Sequence, residues 1–526
     1  MSKYNETKTI TATVTTHQGG QGFQHKPEHE LMSLLANGIS NTFYEKETDQ
    51  DKRLVNAIQQ VDPELVAKML VYTRAVLGQR SVTHRGAVAL LSNLTGKEWG
   101  KFLFSKRDRR ANFGGLIYRL DDMLEITACY FAHNPGKPLP NALRKGFKSV
   151  LENSDEYSLA KYQGKDKKVS LVDLVNLVRP KPQGKEQEEL FKKLMTGGLK
   201  QFNTVEDKNT KAGQDVAAKV KAGELDEEQA KVELSKAKED NFKGLIEDKI
   251  IGYLALLRNL RNILLNTKDQ QLIKDTCTAL TNQTMIQKSL VFPHQIDLAL
   301  EVLIDEFKMS VSSDFVTALN SAYELAIPNL SEIGAVGKTA VVFDSSGSMT
   351  TKIEIGKGKN GSQGAIDKAS LIAATLAKGI KADVYTFDTS CRVVNYNPSD
   401  SINTIKNNFR HGALGGGTDF GCIFNALNQH YDRVFIISDM QGSDDISRAS
   451  SFQAYKSQFG EPYIYCINLC GYATTMFNPN NKKIAQIFGY SAEIYEIIKK
   501  VEIDYNVLLN DIKAINIYPK NYVKKV

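Results

Sequence analysis

Asp344-Ser345-Ser346-Gly347-Ser348 places one carboxylate and two hydroxyls at alternate positions of a short loop. Donors spaced in this way converge on a small hard cation, and an all-oxygen set suits Mg²⁺ or a similar ion rather than zinc. Gly415-Gly416-Gly417-Thr418-Asp419 is a flexible loop that carries a further hydroxyl, and Ser438-Asp439 follows an apolar strand. One such loop alone would be an ordinary Ser/Gly turn; three pieces in order make an oxygen-lined ion site the better reading. Other chemistry is not legible. The histidines show no HExxH spacing, and neither a GxSxG elbow nor a Cys/His pair is evident. A Mg²⁺-dependent hydrolase would want a general base or nucleophile near the ion, and none is visible.

These loops need strands to hold them. The pattern predicts strands over 338–343, 382–387, 433–437 and 461–469, and helices over 364–380, 420–430 and 490–501. Strands alternating with helices predict a parallel, doubly wound α/β domain, with its ligand at the carboxyl ends of the strands. The link 351–361, rich in Gly and Lys, reads as a loop that is not a P-loop.

Upstream, from about 30 to 328, apolar residues recur at helical spacing, segment after segment, with short polar breaks. Stacked helical hairpins of an α-solenoid follow from this, without a firm repeat period. Residues 184–245 are rich in Lys, Glu, Gln and Ala and poor in large apolar side chains. Two readings stay open there: a solvated helical excursion, or a disordered linker.

At 526 residues the chain is long enough for two or three domains. With 42% hydrophobic and 24% charged residues it falls among globular proteins. Its six cysteines include no CxxC pair, which predicts free thiols in a reducing, cytoplasmic setting. Neither a signal-peptide core nor a membrane-spanning apolar run is expected.

The net charge is +7, whereas residues 97–185 alone hold 18 Lys plus Arg against 10 Asp plus Glu, a net of +8. Positive charge is therefore concentrated in one segment, as phosphate recognition requires. Arg144 and Lys148 are spaced i, i+4 on one predicted helix face, with Lys145 beside them. Lys161, Lys165, Lys167 and Lys168 follow, next to Tyr157 and Tyr162, whose rings suit stacking on unpaired bases. Lys106, Arg107, Arg109 and Arg110 form a second cluster. His84-Arg85 is a weaker candidate that a structural hydrogen-bonding role explains equally well. Trp99 reads as packing.

Two resemblances join these observations. The DxSxS…T…D set resembles the metal-ion-dependent adhesion site of von Willebrand factor A domains. That resemblance implies ion contacts from Asp344, Ser346 and Ser348, completed by Thr418 and Asp439 directly or through water, with a partner's acidic group often supplying the last ligand. The segments 141–147, 157–162, 171–177 with Pro180-Lys181-Pro182, and 255–260 look like the TROVE domain of the Ro 60 kDa autoantigen family. So do Gly38-Ile39-Ser40-Asn41-Thr42-Phe43-Tyr44 and Phe292-Pro293 with Ala299-Leu300-Glu301. This resemblance covers nearly the whole chain apart from 184–245, and looks closest to bacterial or phage members.

It implies an N-terminal extension over 1–29, a HEAT-like helical-repeat ring over 30–335, and a Rossmann-like A-type domain over 336–526 that closes the ring. It also implies a non-catalytic, monomeric scaffold of a ribonucleoprotein. Small noncoding Y-like RNA would bind an outer basic surface, single-stranded ends of misfolded RNA would enter a central hole, and an exoribonuclease would be a partner in RNA quality control. The competing reading is a metal-dependent protein-binding adaptor in which the helices act as spacer.

Overall fold

The computed structural model describes residues 14–108, 114–164, 167–200, 205–267, 269–289, 291, 293–307, 313–326, 337–350, 352–354, 362–413, 415–444, 450–490, 494, 497–498, 500 and 507–519.

From Pro27 to Leu325 the described chain is helical, with short connections. Local chemistry starts many of the helices. Asp62 accepts from the backbone N–H groups of Glu64 and Leu65 just before the Pro63–Ala75 helix, and Pro63 occupies its first turn. Ser170 and Asp173 form a reciprocal capping box at Leu171–Val178, as do Asp226 and Gln229 at Glu227–Glu247. Each helix buries one apolar stripe, exemplified by Leu143, Phe147, Val150 and Leu151 of Asn141–Leu151.

The polar segment 184–245 is helical rather than a linker. Lys185–Thr196 buries Phe191 and Leu194, and Val205–Lys221 and Glu227–Glu247 pack against each other as a hairpin. The second hairpin helix returns to the array. It buries Phe242, Leu245 and Ile246 and is tied to the following segment by Lys243–Asp269 and Thr267–Glu239. The excursion from the array is therefore shorter than its composition suggests.

Strands β1 (Val14–Thr15) and β2 (Gln21–Gln24) precede the helices; β3 (Thr339–Asp344), β4 (Lys352–Glu354), β5 (Ser362–Gly364), β6 (Asp383–Phe387), β7 (Cys391–Val393), β8 (Arg433–Ser438), β9 (Tyr463–Asn468), β10 (Thr474–Thr475) and β11 (Ile484–Phe488) follow them. Among the described residues, six form one sheet in the order β11-β9-β8-β3-β6-β7. It is parallel except for the β7 edge. Residues of β3 alternate between its faces: Val341 and Phe343 join the core shared with the helical array, and Ala340 and Val342 join a second core under the Gly421–Ala426 and Ser450–Phe459 helices.

Several elements differ from the sequence expectation. Strands β7 and β11 and the helices Ile402–His411 and Ser450–Phe459 were not foreseen, and the helix expected over 420–430 is confined to Gly421–Ala426. The 351–361 link contains β4, which pairs with β5 as an antiparallel hairpin, while 355–361 lie outside the described residues. Most of the expected 490–501 helix also lies outside them.

The α/β unit grips both ends of the helical array, which closes it into a ring. At the front, Asn37 donates to the Asn468 carbonyl and Lys68 to that of Lys513. Gly489 lies so near the Pro27–Asn37 helix that a Cβ there would stand 2.5 Å from the Ala36 carbonyl oxygen. At the far end, Asp297 pairs with Lys406 and Glu324 with Lys378.

Candidate metal centre and cationic surface

The adjacent strands β3 and β8 mark the topological switch point of the sheet, where consecutive connections diverge to opposite sides. Asp344 ends β3 and Asp439 follows β8, so both carboxylates reach the same crevice. Asp344 accepts from the Ser346 N–H at 2.8 Å and the Ser438 hydroxyl at 2.6 Å. The Ser346 and Ser348 hydroxyl oxygens stand 3.2 Å apart. The glycine loop is laced to this turn: Gly347 N–H donates to the Gly416 carbonyl at 2.9 Å, and Gly415 N–H to that of Ser345 at 3.0 Å. Gly415 has φ of 77°, a conformation that excludes most side chains. The lacing brings Thr418, fully buried, to the same place.

Asp439 uses one carboxylate oxygen to accept from the Gln441 N–H at 3.0 Å. Its other oxygen is buried without a hydrogen-bond partner among the described residues. Met440, next in the chain, holds a left-handed φ of 60°, strain that sets the direction of this turn. Burial pushes the Asp344 carboxyl above the usual range, opposed by the Ser438 and Ser346 hydroxyls and reinforced by Asp388. Asp439 is also raised, by burial first and the Asp344 charge second. Two desolvated carboxylates and an orphan oxygen facing serine and threonine hydroxyls suit a small divalent cation, which would relieve all three costs. Among the described residues no cluster of three or more His, Cys, Asp or Glu side chains offers itself as a metal site, so this donor set relies on hydroxyls.

All five expected ion ligands are thus brought together. Three further residues join them. Asp388 follows β6, buried, and its carboxylate lies within 3.2 Å of where a Cβ of Gly416 would sit; a carboxylate just past the strand expected over 382–387 was a readable signal. Gln18 and Tyr44 come from the other end of the chain and carried none. The Gln18 side chain donates to the Thr418 hydroxyl at 2.7 Å and accepts from the Thr418 N–H at 3.2 Å.

The expected RNA-contacting residues separate into groups. Arg144 and Lys145 are exposed on the outer side of Asn141–Leu151, and Lys148 is half-buried, 3.9 Å from Glu152. Gly146 lies against the Gly100–Leu103 turn so tightly that a Cβ would stand 2.6 Å from that of Phe104, which fixes which side of the helix faces out. The Lys161 ammonium is 3.2 Å from the Tyr157 hydroxyl and lies within 6 Å of the Tyr157 and Tyr162 ring centroids. Lys167 pairs with Glu125 at 3.0 Å, and Lys168 is exposed.

Arg107 corrects the expectation. It is 6% exposed and its guanidinium donates to the carbonyls of Gly114 and Asn516, pinning the turn that follows the Gly100–Leu103 helix to the C-terminal segment. Arg109, Arg110 and Lys165 lie outside the described residues. His84 is buried against Asp122, and the half-buried Arg85 pairs with Asp51 through two hydrogen bonds. Trp99 is buried, and the six cysteines are unpaired.

Among solved structures, the crystal structure of the Deinococcus radiodurans Ro (RSR) protein matches 91% of this chain and 100% of its own at a TM-score of 0.56 and 17% sequence identity. At that identity the likeness establishes a common fold, the helical ring joined to a Rossmann-like domain. No protein-family model and no curated protein matches the chain. No helix among the described residues is long and apolar enough to cross a membrane.

Proposed function

We propose that this protein is an RNA-binding scaffold of a ribonucleoprotein without catalytic chemistry of its own. The carrying observation is the exposed Arg144–Lys145 pair on one outward helix side, with the exposed Lys161 and the 43%-exposed Tyr157 on the next helix, Glu156–Lys161, on a fold shared over 91% of the chain with a Ro protein. Clustered cations release counterions from a phosphate backbone, and an exposed tyrosine offers an unpaired base a stacking surface. Under this reading a small structured, Y-like RNA lies on the outer surface, and the single-stranded end of a misfolded RNA enters the ring for handover to an exoribonuclease. Filter binding of a hairpin RNA with a single-stranded 3′ tail tests it. Affinity should fall steeply with salt, and Arg144→Glu with Lys145→Glu should weaken it at least tenfold. Salt-insensitive or unchanged binding would overturn the reading.

The orphan oxygen of Asp439 favours a second function alongside the first: an ion-dependent grip on an acidic protein partner. Asp344, Ser346, Ser348, Thr418 and Asp439 would hold Mg²⁺ or a similar ion, directly or through water. A pull-down that survives ribonuclease, requires divalent metal and is lost in Asp344→Ala would support it.

A further inference from the structure

Resting on the ion-site reading, we infer that Gln18 and Tyr44 form a built-in cap on that site, standing where the acidic group of a partner would otherwise bind.

The cap is assembled from two segments distant in sequence from the ion loop. Residues 14–25 run across the α/β unit as a strap: β2 pairs antiparallel with β10, matching Phe23 to Thr475 and Gln24 to Thr474. The Thr16 hydroxyl donates to the Gly442 carbonyl at 2.6 Å, the His17 N–H to the Gln441 side chain at 3.0 Å, and the His25 N–H to the Ala473 carbonyl at 3.0 Å. This anchoring sets Gln18 on Thr418. The Thr418 N–H can only donate, so it fixes the Gln18 carbonyl toward itself and leaves the amide nitrogen on the hydroxyl.

Tyr44 arrives from the connection between the first two helices. Its ring stacks on His17 at 5.1 Å and 5°, and its N–H donates to the Tyr472 hydroxyl at 3.4 Å. Its own hydroxyl lies beside the Gln18 and Ser348 side chains, on the side of Asp439 and Asp344. Two neutral polar groups thereby cover the crevice over two carboxylates. They supply no charge to an ion below them, but they occupy the space that a charged ligand would need.

Strap and α/β unit approach at backbone distance. A Cβ on Gly20 would stand 2.4 Å from the Asp444 carbonyl oxygen and 2.5 Å from that of Gly442. A side chain at Gly20 must therefore lift the strap, and Gln18 with it. An acidic partner reaches the ion after the same movement.

Mn²⁺ added to the full chain tests the cap, read by water-proton relaxation, which counts exchangeable waters on the bound ion. Gln18→Ala with Tyr44→Phe should raise the relaxivity of bound Mn²⁺ by about twofold, because uncovered positions on a hard cation fill with water. Adding acetate should then lower it in this variant and leave the parent chain unchanged. Gly20→Val, which alters neither cap side chain but lifts the strap that carries Gln18, should reproduce the effect. Equal relaxivity in parent and variants, or an acetate response in the parent, overturns the cap alone. Absence of Mn²⁺ binding by the parent, or binding undiminished in Asp344→Ala, overturns the ion site and the cap together.

Discussion

Asp122, fully buried at the start of the Leu120–His133 helix, accepts from the N–H groups of Tyr118 and Arg119 at 3.0 Å each, from Arg80 at 2.7 Å, and lies 3.2 Å from His84 and 3.5 Å from Arg74. These partners overcome burial and hold its carboxyl well below the usual range. A depressed carboxylate stabilises the fold above its ordinary titration range and loses that contribution as pH falls through it. Asp122→Ala should cost about 3 kcal/mol by removing the carboxylate that Arg74 and His84 face and one of the two that Arg80 pairs with, measurable by denaturant unfolding at neutral pH, with the deficit shrinking toward pH 2. His25 acts in the same direction, over a higher pH range. Burial, then His29 and Arg53, push its imidazole down to about 3, and neither ring nitrogen meets a hydrogen-bond partner among the described residues. The unfolded chain takes up the proton first, so stability should decline as pH drops below about 6.5. His25→Phe, placed against the edge of Phe488, should flatten that decline in unfolding midpoints measured between pH 7 and pH 4.

At the scale of elements, the Asn141–Leu151 helix separates a packed side from an exposed cationic one. Gly146 touches Phe104 and the Lys101 carbonyl on its inner side, whereas Arg144 and Lys145 face outward. Gly146→Val should destabilise the protein by about 2 kcal/mol through overpacking and should shift the thermal midpoint. Arg144→Glu should leave that midpoint unchanged and reduce the slope of log affinity against log salt by about one.

At the scale of the molecule, ring closure depends on contacts between segments at opposite ends of the chain. Asp297 and Lys406 are both almost fully buried where the last helices meet the α/β unit. Burial raises the Asp297 carboxyl in spite of its lysine partner, so the pair adds little net stability while intact. Removing one member leaves the other charged and desolvated. Asp297→Ala should therefore cost about 3 kcal/mol, whereas replacing both members with apolar residues of similar volume should recover much of the loss. Paired unfolding curves of the single and double variants check this.

The oxygen donors of the crevice and the cationic helix were legible in the sequence because each is a local pattern: alternate donors in one loop, a carboxylate after an apolar run, cations one helical turn apart. Helix caps such as Asp62 and Ser170 with Asp173 are local in the same way, and the helical array shows for that reason. The short strands β7 and β11 lacked a strong enough period, and Arg107 carried the same charge as its exposed neighbours although it is buried. Whether a cation faces water or a buried carbonyl depends on which distant backbone folds over it, here Asn516 on Arg107. The same holds for the strap. Composition and spacing were sufficient to determine an α/β domain with an oxygen-lined crevice behind a helical array. Only the tertiary structure decided that Gln18 and Tyr44 cover that crevice and that the array closes on itself, because such contacts join residues hundreds of positions apart and no local energetic preference records them.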